Sequence, residues 1–152
     1  MQNRRETLRQ SAVAAGLLAS TGLFPQIAQA AWNKNAFDAK SVAEVAKAFG
    51  AGAPVESKDV TLTGPDIAEN GAVVPLAVAT TLPGVKHLLV LVEKNPNTLV
   101  AKFDLSPEVE ANFATRAKMG QSSDVYAVAI TADGKAFFAK KEVKVTLGGC
   151  GG

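Results

Sequence analysis

The chain has 152 residues, a formal net charge of +2 and 47% hydrophobic residues, the composition of one ordinary globular domain. Three of the sixteen basic residues and one of the fourteen acidic ones fall in the first 30 positions, so residues 31–152 carry 13 of each and are formally neutral. That excludes a nucleic-acid footprint and a polybasic membrane patch, while a single cysteine excludes an internal disulfide and a single histidine excludes His/Cys zinc spacings and a Cys-x-x-Cys-His haem site.

The chain opens "MQNRRETLRQ", with Arg4 and Arg5 paired and Arg9 close behind, and continues into the apolar, small-residue stretch "SAVAAGLLASTGLFPQIAQA". A basic head, an apolar centre and the Ala28-Gln29-Ala30 pattern make a secretory signal cleaved near Ala30. The paired arginines predict twin-arginine export, although Asn3 and Thr7 depart from the usual flanks. Ser20, Thr21 and Gly22 interrupt the apolar stretch, short of the roughly 20 strongly apolar residues of a membrane span. The expectation is a 1–30 signal, a 31–147 body in a bacterial periplasm, and no membrane association after cleavage.

In the body, Phe37, Val42, Val45, Ala46 and Phe49 approximate helical spacing before Gly50, which predicts one short N-terminal helix. Trp32 lies just ahead of it and packs either on the body or on a partner. From residue 59 the period changes to two. "DVTLT" precedes a Gly64-Pro65 turn, and Asn70-Gly71 bends the chain before "AVVPLAVATT". "HLLVLVEK" runs to an Asn95-Pro96-Asn97 turn and "TLVAKFDL" follows it. After a turn at Ser106-Pro107, Val109, Ala111, Phe113 and Thr115 share a face of "VEANFATRAKM". "VYAVAIT" leads through Asp133-Gly134, a two-residue hairpin signal, into "KAFFAKKEVKVTL". Seven short strands with turns every 8–12 residues predict a mainly β, immunoglobulin-like antiparallel sandwich. His87 reads as a strand-edge histidine ahead of an apolar strand rather than a pH switch or metal ligand. "LLVLV" at 88–92 is apolar on both faces, which fits a two-sided core better than a sheet face covered by a partner.

The last segment is "LGGCGG". Val143, Val145 and Leu147 alternate with Lys144 and Thr146, so a regular strand runs straight into glycines. Gly148 and Gly149 lack Cβ atoms and form a swivel. Gly151 and Gly152 leave the far side of the Cys150 thiol clear, and at 3.3–3.6 Å per residue the arm carries it about 10 Å off the body. Such a thiol suits covalent attachment. Catalysis needs groups held by rigid surroundings, and no base lies near it in sequence. A lipidation site fails because the lipobox-like "LGGC" is at the wrong end, and the prenylation pattern fails because only two residues follow Cys150. A ubiquitin-like sulfur carrier would need ATP that an exported protein does not meet. An intermolecular disulfide through Cys150 on a structural domain remains the alternative.

The "GGCGG" motif, the export signal and the stretches "SVAEVAKAFG", "VLVEKNPNTLVAKFDL" and "AVAITADGKAFFAKKEVKVTLGGCGG" together resemble the SoxY family, the sulfur carriers of bacterial thiosulfate oxidation. The resemblance covers nearly the whole body of the chain. It implies a covalent carrier, not an enzyme, with no cofactor beyond sulfur species on Cys150, and with Gly148, Gly149, Gly151 and Gly152 as the arm. It also implies a SoxZ-like partner in a heterodimer. A SoxAX-like cytochrome would load thiosulfate, a SoxB-like hydrolase would release sulfate, and where present a SoxCD-like dehydrogenase would oxidise the sulfur left behind.

Overall fold

The structure, a computed structural model, describes residues 33–146. Arg4 and Arg5 with the expected signal, Trp32, and Gly148, Gly149, Cys150, Gly151 and Gly152 with the expected arm lie outside the described residues. Two short helices, α1 (Lys34–Asp38) and α2 (Val42–Ala48), precede nine strands: β1 (Val55–Glu56), β2 (Val60–Thr63), β3 (Ile67–Ala68), β4 (Val74–Thr80), β5 (Val85–Val92), β6 (Leu99–Asp104), β7 (Asn112–Ala117), β8 (Ser123–Thr131) and β9 (Ala136–Val145).

The single helix expected from the sequence is two. Ala39 takes an extended conformation (φ −61°, ψ 142°) and closes α1, and Ser41 then caps α2 by accepting from the Glu44 amide at 3.2 Å. The Glu44 carboxylate returns to the Lys40 amide at 2.8 Å, a variant of the capping box in which two orphan donors are satisfied locally. The local gain at Ser41 outweighs continuing the helix through Ala39.

The seven strands read from the sequence are all present as β2 and β4–β9. β2-β4-β7 form one antiparallel sheet, and β1-β9-β8-β5-β6 form the other, with β3 also on β9. The arrangement is an immunoglobulin-like sandwich, with one departure from the antiparallel expectation. β1 and β3, two residues each, both pair parallel with β9, through Val55–Phe137 and Ile67–Lys144. Two residues show no periodicity, so neither strand was legible. Together they cover the outer edge of the longest strand, which would otherwise present unpaired N–H and C=O groups.

Leu88, Leu89, Val90, Leu91 and Val92 are fully buried. Leu88, Val90 and Val92 share one core with Val143 of the same sheet and with Val74 and Leu76 of the second sheet. Leu89 and Leu91 face outward, where Val45, Ala46 and Ala36 of the helices cover them. The two-sided core is therefore a three-layer packing of sheet, sheet and helices, closed within the chain.

The Asp133-Gly134 turn differs from the two-residue type that its sequence signals. That type needs positive φ at both central residues, yet Gly134 (φ 79°) has it and no non-glycine among the described residues does. The Thr131 amide donates to the Lys135 carbonyl and the Gly134 amide to the Thr131 carbonyl, so the connection is the longer hairpin with a glycine bulge.

Candidate functional site

The alternation of Val143 and Val145 with Lys144 predicted an anchored last strand, and the end of β9, the root of the expected arm, is held in that way. Val143 is fully buried and Lys144 exposed. On one side β9 pairs with β8 through Ser123–Val143, and past the end of that ladder Ser122 takes over: its hydroxyl accepts from the Val145 amide at 2.9 Å. On the other side the Lys144 amide donates to the Asp66 carbonyl at 2.9 Å and the Thr146 amide to the Ala68 carbonyl at 3.1 Å. The Thr146 hydroxyl reaches the Glu69 carbonyl at 3.4 Å. The backbone is thus clamped on both edges up to Thr146, four residues before Cys150.

Gly71 completes the root. A Cβ built there would stand 2.4 Å from the Met119 carbonyl oxygen and 2.7 Å from Val145 Cγ1. Without one, the backbone approaches closely enough for the Met119 amide to donate to the Gly71 carbonyl at 2.7 Å. The sequence marked Asn70-Gly71 as a bend, and the close approach to Val145 was not legible in it. Ser122 was missed too; a serine just ahead of a strand carries no signal of the neighbouring strand end it will cap.

Behind the root, Lys141 of β9 holds the β2–β3 connection. Its ammonium donates to the Gly64 carbonyl at 2.6 Å and pairs with Asp66 at 2.9 Å. The hydrogen bond and charge of Lys141 hold the exposed Asp66 carboxyl below its usual range.

His87 lies inside β5, opposite Asp104 of β6, rather than ahead of the strand. Its Nδ1 is 2.6 Å from the Asp104 carboxylate, which also pairs with Lys102 at 2.8 Å. The Phe49 ring sits 5.4 Å from the imidazole and carries the Lys102 ammonium 5.6 Å above its centroid. Desolvation pushes the Asp104 carboxyl up, but hydrogen bonds and charge from Lys102 and His87 outweigh it and the net shift is downward. This cluster ties the end of α2 to the β5–β6 hairpin. β5 runs parallel to β9, so His87, near the start of β5, belongs to the end of the sandwich where β9 begins, opposite Val145. Among the described residues no group of three His, Cys, Asp or Glu side chains could hold a metal ion. No described helix is long and apolar enough to cross a membrane.

Solved structures share this architecture, and one of them is also related in sequence. The solved structure of the sulfur carrier protein SoxY from Chlorobium limicola f thiosulfatophilum is 36% identical, with a TM-score of 0.56 over 62% of this chain and 86% of that one. A superoxide reductase (neelaredoxin) from Ignicoccus hospitalis superposes with a TM-score of 0.51 over 57% of this chain and 79% of its own, but at 15% identity it shares the fold alone. No curated protein matches significantly. The family described as "Sulfur oxidation protein SoxY" matches residues 45–150, from α2 through all nine strands to Cys150, and the chain belongs to that family.

Proposed function

We propose that the chain is a covalent carrier of sulfur intermediates in thiosulfate oxidation, with Cys150 as the attachment point. One observation carries the reading: the family match extends to Cys150, which is the chain's single cysteine. The clamped root supports it, because a strand fixed to Thr146 gives the following residues a defined point of departure.

In the first step the Cys150 thiolate and the outer sulfur of thiosulfate form an S–S bond, and two electrons pass to a SoxAX-like cytochrome. In the second, water attacks the terminal sulfone in a SoxB-like hydrolase. Sulfate and two protons leave, and a persulfide stays on Cys150. A SoxCD-like enzyme, where present, oxidises the remaining sulfur for a second hydrolysis. The carrier is a substrate in each step and holds no cofactor other than its sulfur cargo. Gly148, Gly149, Gly151 and Gly152 present no side chains for an entrance channel to reject, so one arm suits several active sites. A SoxZ-like subunit completes a heterodimer. Export through the Arg4-Arg5 signal, cleaved near Ala30, delivers the complex to the periplasm.

The test is an intact mass spectrum of the protein from thiosulfate-grown cells, before and after reductant, beside a Cys150→Ser variant. Reductant-labile sulfur additions that map to Cys150 and vanish in the variant are expected. A bare thiol, or only a disulfide-linked homodimer while thiosulfate is being consumed, would replace the carrier with a structural domain.

A further inference from the structure

The sequence places one asparagine directly before a glycine, at Asn70-Gly71. The pair lies inside the segment that holds the end of β9. Just ahead of it, the Ala68 carbonyl accepts from the Thr146 amide at 3.1 Å and the Glu69 carbonyl from the Thr146 hydroxyl at 3.4 Å. At the pair itself, the Gly71 backbone packs against Val145 and its carbonyl takes the Met119 amide at 2.7 Å. The backbone from Glu69 to Gly71 is therefore a short bridge between two contacts with the same strand end.

The local geometry sets Asn70 up for attack by its own backbone. Its side-chain carbonyl accepts from the Ala72 amide at 2.9 Å, which turns the carboxamide towards the peptide that follows and polarises its carbonyl carbon. The Val73 amide donates to the Asn70 carbonyl at 3.3 Å and fixes the turn. The Gly71 amide nitrogen, the nucleophile, is hydrogen-bonded to none of the described residues. Gly71 has no Cβ to block the approach. Asn70 is exposed, so the nitrogen it loses leaves into water. We propose that Asn70-Gly71 is a site of spontaneous covalent modification, and that deamidation there loosens the end of β9. The Gly71 amide gives up its proton and its nitrogen bonds to Asn70 Cγ. The carboxamide nitrogen takes up a proton and leaves as ammonia, and a five-membered succinimide remains. Water then opens the ring at either carbonyl. Opening at the side-chain carbonyl gives aspartate; opening at the backbone carbonyl gives isoaspartate, in which the chain runs through Cβ and Cγ. No oxidant or reductant is needed. Isoaspartate adds one methylene to the bridge, and the contacts on its two sides cannot both keep their distances. Asp133-Gly134 lacks the leaving group, since its side chain is a carboxylate held by Lys135 and Thr131.

The experiment ages the protein as purified in mildly alkaline buffer and follows it by peptide mapping, with chromatography that separates aspartate from isoaspartate. Expected at Asn70 is conversion to a mixture of the two, at least about tenfold faster than at Asn97 and Asn112, which are also exposed but precede residues with side chains. Hydrogen exchange reads the consequence. In the isoaspartate form the Thr146 amide exchanges about fivefold faster or more, as expected for the loss of its hydrogen bond to Ala68. Asn70→Asp carries the new charge without the methylene and keeps an acceptor for the Ala72 amide, so its Thr146 exchange stays near wild type. Asn70→Ser cannot close the ring, and its exchange stays constant through the same ageing. Conversion at Asn70 no faster than at Asn97 and Asn112 overturns the site. Conversion that leaves Thr146 exchange unchanged overturns the loosening, and equal loosening in Asn70→Asp overturns the role given to the methylene.

Discussion

Gly71→Ala is the sharpest probe of how the end of β9 is held. The added Cβ would meet the Met119 carbonyl oxygen at 2.4 Å and Val145 Cγ1 at 2.7 Å. The first is backbone, and it cannot rotate away. The Gly71 and Met119 segments must separate by close to an ångström, which strains the 2.7 Å hydrogen bond from the Met119 amide to the Gly71 carbonyl. Overpacking of this kind costs about 1–3 kcal/mol, and a weakened buried hydrogen bond adds about 1 kcal/mol. The sum, about 2–4 kcal/mol, lowers the melting temperature of a body this size by roughly 10 °C. Urea denaturation followed by circular dichroism measures it. A double-mutant cycle with Val145→Ala adds a second reading. Removing Cγ1 relieves one of the two clashes, so the double variant should be more stable than additivity predicts by about 1 kcal/mol. A Gly71→Ala protein within 0.5 kcal/mol of wild type, or strict additivity in the cycle, would refute the close-approach argument.

Leu89→Ala, beneath the helices, should cost about 2–5 kcal/mol in the same denaturation assay, as expected for a fully buried leucine. A cost below 1 kcal/mol would mean that the helices do not seal that face. Phe103 and Phe113 stack across the two sheets with ring centroids 4.4 Å apart and planes within 4°. Their double-mutant cycle to alanine should show a coupling of about 0.5–1.5 kcal/mol, and zero coupling would refute the contact. Asp133 has its carboxyl lowered to about 2, first by hydrogen bonding to Lys135 and then by the Thr131 hydroxyl. Its folded value lies below the unfolded one, so its contribution is complete above the ordinary carboxylate range and fades as pH falls from about 4 towards 2. Carboxyl-carbon NMR titration should give that low midpoint, and a midpoint near 4 would show the turn open in solution. Ser122→Ala should cost about 1 kcal/mol and speed hydrogen exchange at the Val145 amide, since that amide then loses its acceptor. Unchanged exchange would mean that the strand end does not depend on it.

By itself the sequence determined the seven long strands, because a half-buried strand writes its faces as an alternation that survives without knowledge of its neighbours. It determined the two-sided burial of residues 88–92, since an apolar run of strand length has no solvated face to offer. It also carried the family, whose match reaches Cys150, and the formal neutrality of residues 31–152. Tertiary structure alone decided the rest. β1 and β3 exist because β9 has an edge to cover, and two residues are too few to show a period. The helical region splits because Ser41 and Glu44 satisfy amides locally while both halves still find the outer face of β5. Gly71 is small because Val145 and Met119, 74 and 48 residues further along the chain, converge on it. The helix split is set by the local cap at Ser41 and Glu44; the other features are contacts between segments distant in sequence, and local propensity holds no record of who the neighbour will be.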